Sequence, residues 1–290
     1  MLFKKILVPL DGSTLAEMAL EPALALAQAA KGEVILLSVL PAQESMDVPY
    51  YGFEVTPMPA DVAMLQDSQL DYRNRLVSYL DSVYASRAGS GVAMRTMVTE
   101  GNAAGCVLET AVSEHANLIV MGTHGRSGMS RWLLGSVTEK VLHHAGCPVL
   151  AVRGQAAINN ILVLVDPALL AVQALDPGFA LAGALQAQLH LLLVDSHAAG
   201  DVEEVFRQEE GYLEDLCERY AIKQRPETAV RFGKPEEVIA AYSEEQSIDL
   251  IVLTDHDRSG FRRWLSGSLF EKVLHKTSGS LLLVRAESHD

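Results

Sequence analysis

One 21-residue segment occurs twice in this chain. HGRSGMSRWLLGSVTEKVLHH begins at His124, and HDRSGFRRWLSGSLFEKVLHK begins at His256, 132 positions later. The echo runs through the rest of the sequence. Ile161–Asp166 answers Ile6–Asp11, Leu189–Val194 answers Val34–Val39, Val230–Gly233 answers Val98–Gly101, and Asp249–Leu253 answers Asn117–Met121. A repeat of this length is a tandem duplication, so both halves must fold into the same unit. The expected organisation is two domains, residues 1–154 and 158–290, with Arg153–Ala157 as the linker.

Within the first copy, short apolar runs alternate with segments of helical spacing. Lys5–Leu10 and Glu33–Leu40 are compact apolar strands. Between them, Leu15, Met18, Ala19, Ala23, Leu26 and Ala27 predict one helix over 14–30, ended by Lys31-Gly32. Residues 41–59 hold four prolines and no period, the mark of a long loop. A helix over 61–88, a strand over 92–98, a helix over 103–115 and a strand over 117–121 follow. A glycine-rich loop, a helix over 135–144 and a strand over 148–152 close the copy. Strands this apolar are buried on both faces. The alternation predicts an α/β fold: two tandem copies of a five-stranded, parallel, doubly wound, Rossmann-like sheet with helices on both faces.

Charge and cysteine content narrow the function classes. The formal net charge of −14 argues against a nucleic-acid backbone or an anionic membrane as partner, since both select positive surfaces. Three cysteines without a CxxC pair fit a reducing compartment better than a disulfide framework. The first residues, MLFKKILVPLDGS, reach Pro9 and Asp11 too soon for a signal-peptide core, and no apolar run approaches the ~20 residues of a membrane helix. A cytoplasmic location is expected.

The glycine-rich loop carries the chemistry. Gly122-x-x-Gly125, nine further residues and Gly135-Ser136 lead from a strand into a helix. Small residues let backbone N–H groups approach an anion, and a helix start adds its dipole. No GxxxxGK[ST] occurs, so any phosphate cradle works without a P-loop lysine. This pattern, with Asp11 ending the first strand, resembles the signature of the universal stress protein family, in its ATP-binding subgroup; the fold it implies is the adenine nucleotide alpha hydrolase-like one. The resemblance spans both halves. It implies that Pro9 and Asp11 meet adenine and ribose, and that Val39 lies on the adenine side. It implies that Met121, Gly122, Gly125 and Arg126 surround ribose and phosphates, and that Gly135, Ser136 and Val137 form the phosphate turn. Thr138 is expected to add a further hydroxyl donor. The implied ligand is ATP, ADP or AMP, with Mg²⁺ as a candidate companion. The implied assembly pairs the two halves through their last strands, 148–152 and 280–284, as a pseudo-dimer within one chain, with a homodimer beyond it.

The second copy departs at the loop. Thr254 stands for Gly122, Asp255 for Thr123 and Asp257 for Gly125, while Pro167-Ala168 replaces Gly12-Ser13. Added carboxylates oppose a triphosphate, so one nucleotide per chain is expected, held by the N-terminal domain in a regulatory stress-response protein. No catalytic residue or metal site is assigned: His143 and His144 are adjacent on a helix and diverge, and no nucleophile–base pair is evident. Trp132 and Trp264 read as packing residues, and Cys106 and Cys147 as small buried ones. Two rival functions stay open. One is a slow ATP hydrolase or phosphotransferase, assisted by Asp11 or Ser136. The other is a module for a non-nucleotide metabolite, lined by the loop over 41–59.

Overall fold

The computed structural model describes residues 3–42, 59–123, 134–154, 157–165, 172–196, 202–219, 225–255 and 269–285. The first half runs β1 (Lys5–Pro9), α1 (Thr14–Glu17), α2 (Leu20–Ala30), β2 (Glu33–Leu40), α3 (Pro59–Arg87), β3 (Ala93–Glu100), α4 (Ala103–Ser113), β4 (Leu118–Gly122), α5 (Ser136–His144) and β5 (Val149–Val152). The second runs β6 (Asn160–Val165), α6 (Val172–Leu185), β7 (Gln188–Asp195), α7 (Val202–Arg219), β8 (Glu227–Phe232), α8 (Pro235–Glu245), β9 (Leu250–Asp255), α9 (Leu269–Lys276) and β10 (Ser280–Arg285).

The ten strands of the described residues form one sheet, in the order β3-β2-β1-β4-β5-β10-β9-β6-β7-β8. Within each half every pairing is parallel, as in Lys5 opposite Glu33 and Ile6 opposite Leu118. The halves join where β5 meets β10 antiparallel, with Leu282 opposite Leu150. Each of these strands would otherwise offer an apolar edge, and their pairing removes both edges at once.

Strand alternation sorts side chains to the two faces of the sheet. Ile6, Val8, Val34 and Leu36 pack with α2, α3, α6 and α7 in one core. Leu7, Ile35 and Leu37 pack with α4, α5, α8 and α9 in the other. Both cores run through both halves, and α2 packs on α6 across the joint. Burying each of these large aliphatic side chains contributes about 1.5–3 kcal/mol.

The chain departs from its sequence pattern in two places that matter. The single helix expected over 14–30 is two helices, broken at Met18–Ala19. Ser13 Oγ accepts from the Ala16 N–H at 3.1 Å and starts a one-turn helix, which then packs on β4. Periodicity cannot reveal this break, because the apolar spacing continues through it. Arg153, expected in a solvated linker, is instead a clasp between the halves. Its Nη1 donates to the Leu274 and Thr277 carbonyl oxygens at 2.5 and 2.8 Å, and its backbone N–H donates to Ser280 Oγ at 3.1 Å. A guanidinium there meets the negative end of the α9 dipole. Burial lowers its pKa from the ordinary arginine value.

Candidate functional site

In each half the strand order reverses between the first and fourth strands, so the flanking crossovers diverge and leave a crevice at the C-terminal strand ends. In the first half this crevice is a cavity of about 380 Å³. Pro9, Leu10 and Asp11 enter it from the end of β1, Leu37, Val39 and Pro41 from β2, and Met121 and Gly122 from β4. The first turn of α5, Gly135 to Thr138, closes another side. Of the ten residues singled out from the sequence, eight therefore share one cavity: Pro9, Asp11, Val39, Met121, Gly122, Gly135, Ser136 and Val137. Gly125 and Arg126 lie outside the described residues, as do Trp132, Trp264 and most of the loop over 41–59.

Local chemistry fixes the polar parts. Asp11 Oδ1 accepts from the Ser13 N–H at 2.9 Å and from Ser13 Oγ at 2.6 Å, an Asx-type turn that holds the carboxylate at the crevice mouth. Ser13 thus orients Asp11 while it caps α1. Buried Ser38 donates from Oγ to the Leu10 carbonyl at 2.8 Å, which ties the end of β1 to β2. Tyr79, on α3, donates to Glu17 Oε1 at 2.9 Å. Burial, then the bond to Glu17, pushes its phenol far above the ordinary value, so it remains a neutral donor across the physiological range.

Two backbone bonds staple the base of the glycine loop. The Gly135 N–H donates to the Thr123 carbonyl at 2.8 Å, and the Thr123 N–H donates to the Val152 carbonyl at 3.2 Å. Thr138 Oγ1 donates to the Gly122 carbonyl at 2.9 Å. Thr138 was expected as a donor to the ligand; its hydroxyl is committed to holding β4 against α5. Gly135 caps α5 with extended backbone (φ −64°, ψ 142°) and no side-chain bond. The first N–H groups of α5 are therefore not satisfied by a capping side chain, the condition under which a helix start attracts an anion.

Gly122 has a reason the sequence did not show. A Cβ placed there would lie 2.6 Å from the Leu15 carbonyl oxygen and 3.3 Å from Ala16 Cα. The glycine is required by the close passage of α1 over β4, whatever the ligand. Sequence reasoning also missed Tyr72 and Leu76 on α3 and Ala103 and Val107 on α4, which complete the apolar walls. Helical spacing placed these residues on helices over 61–88 and 103–115, and only the crossovers place them over the strand ends.

In the second half β9 ends in Thr254 and Asp255, paired with Val284 and Arg285. Asp166 and the loop holding Asp257 lie outside the described residues. Among the described residues no group of three histidine, cysteine or acidic side chains could hold a metal, and no helix is long and apolar enough to cross a membrane. Cys106 is buried, in keeping with its expected packing role, whereas Cys147, expected to be buried as well, is only half-buried.

This mostly parallel α/β architecture, doubled along the chain, is found in known proteins. The profile of the universal stress protein family matches residues 2–153 and again residues 157–285. The chain belongs to the universal stress protein family, in tandem form. A universal stress protein of Methanocaldococcus jannaschii is 35% identical over 152 residues, covering 52% of this chain and 83% of its own. A universal stress protein structure from Archaeoglobus fulgidus superposes with a TM-score of 0.70 at 19% identity, covering 100% of this chain and 98% of its own. One from Pseudomonas aeruginosa gives a TM-score of 0.68 at 16% identity, covering 97% and 93%. At these identities the two structures speak to the fold.

Proposed function

We propose that the first half binds one adenine nucleotide in the crevice between β1 and β4, and that occupancy regulates the protein in a stress response. The observation that carries this reading is the convergence of Asp11 and the N-terminus of α5 on one cavity with apolar walls. Leu37, Val39, Leu76 and Val107 suit a flat purine. Asp11, an acceptor held by Ser13, suits the ribose hydroxyls. Gly135, Ser136 and Val137 suit phosphate through backbone N–H groups and the Ser136 hydroxyl.

The direct experiment is mass spectrometry of whatever small molecule leaves the purified chain on denaturation, with calorimetric titration of ATP, ADP, AMP and ADP with Mg²⁺. One universal stress protein is known in complex with cAMP, which places cAMP among the nucleotides to titrate. Asp11→Ala removes hydrogen bonds to a charged acceptor worth about 1.5–3 kcal/mol, so affinity should fall roughly 10- to 100-fold. An unliganded protein with no response to any of these nucleotides would overturn the reading.

A further inference from the structure

The described residues include five exposed large apolar side chains, and three of them lie on α3: Leu70, Val77 and Tyr84, 59%, 40% and 42% exposed. They are spaced seven residues apart, so on a helix they form one straight stripe about 21 Å long. The inner face of α3 is spent elsewhere, with Leu76, Leu80 and Val83 buried against the sheet. The helix α7, in the corresponding place of the second half, carries exposed Arg207, Glu210 and Glu214 on its outer side and none of the exposed large apolar residues. Among the described residues the stripe is thus confined to one half of the duplicated chain.

The pattern around the stripe is self-complementary. Laid antiparallel on a copy of itself with Val77 on the two-fold axis, α3 puts Leu70 against the partner's Tyr84 and Val77 against the partner's Val77. The same register sets Arg73 against the partner's Asp81. Arg73 and Asp81 are both exposed, and among the described residues neither has an ion-pair partner. A two-fold contact requires each residue and its mate to be equidistant from the axis residue. The apolar pair and the charged pair both meet that condition about the same residue. We propose that α3 is the surface through which two copies of this chain form an antiparallel, isologous dimer. A seam of three apolar residues per copy is narrow, so the dimer forms in a concentration-dependent manner.

The test is sedimentation velocity on the full chain over a concentration series. The wild type should pass from monomer to dimer. Val77→Asp places two like charges face to face on the axis, and should leave a monomer whose melting temperature matches the wild type. Arg73→Asp and Asp81→Arg should each weaken association at least tenfold, and the double variant should restore it, because the swapped charges pair again across the axis. A wild type that stays monomeric, or a dimer that survives Val77→Asp, would overturn the proposal. So would a double variant that fails to recover while it melts like the wild type.

Discussion

Replacing Gly122 with alanine tests how the site is assembled. The added Cβ would sit 2.6 Å from the Leu15 carbonyl oxygen and 3.1 Å from its carbon, both backbone atoms of α1. Non-bonded heavy atoms are most stable at about 3.5–4.0 Å, so α1 must retreat by the better part of an ångström. It cannot retreat alone, because Ser13 caps it and also holds Asp11. Overpacking of this kind costs about 1–3 kcal/mol, equivalent to a fall in melting temperature of about 2–4 °C per kcal/mol. The same retreat should carry Asp11 away from the crevice and weaken nucleotide binding, although Gly122→Ala adds no charge and deletes no donor. Differential scanning calorimetry gives the first effect and calorimetric titration the second. A variant as stable as the wild type within about 0.5 kcal/mol would refute the packing of α1 over β4. A destabilised variant with unchanged affinity would refute the coupling between α1 and Asp11.

Other perturbations have defined outcomes. Arg153→Ala removes the cation that donates to two carbonyl oxygens at the end of α9. It should cost about 2–3 kcal/mol in chemical denaturation, with Arg153→Lys retaining part of that because the charge remains without the fork. Thr138→Val leaves the buried Gly122 carbonyl without its hydroxyl donor and should cost about 1–3 kcal/mol by the same assay. Buried His190 has its pKa lowered from 6.5, mainly by burial and against the opposing pull of Glu227. The unfolded chain then takes up the proton first, so stability is full above about pH 6.5 and falls as the pH drops below it. Melting curves between pH 5 and 8 should show that fall, and His190→Gln should flatten it.

Much of the architecture was legible in the sequence, because parallel strands buried on both faces are written as unbroken apolar runs such as Ile6–Leu10 and Leu118–Met121. The duplication then supplied the second half. What periodicity could not supply was tertiary. The break at Met18 depends on a cap at Ser13 and on α1 passing over Gly122, a contact between positions more than a hundred residues apart. Arg153 looked like linker because its partners, Leu274 and Thr277, belong to the other half. Of the site, the strand-end residues could be named from their positions, whereas Tyr72, Leu76, Ala103 and Val107 needed the crossovers to bring them in. Gly122 was assigned to the ligand on its spacing, and its packing role changes the meaning of Thr254 in the second copy. A residue with a Cβ at that place excludes the same close passage of a helical turn, and Ala168 offers no hydroxyl where Ser13 caps and orients. In sequence the second half therefore differs from the first at the positions of Gly122, Gly125 and Ser13, while Gly267-Ser268 keeps the pair found at Gly135-Ser136.

The decisive quantity is the number of nucleotides that each chain binds. Isothermal titration of the full chain, freed of any resident ligand, should saturate with ATP at one per chain. That single event should disappear or weaken at least tenfold in Asp11→Ala and persist in Thr254→Gly. Two equivalent sites, or one site indifferent to Asp11, would contradict it.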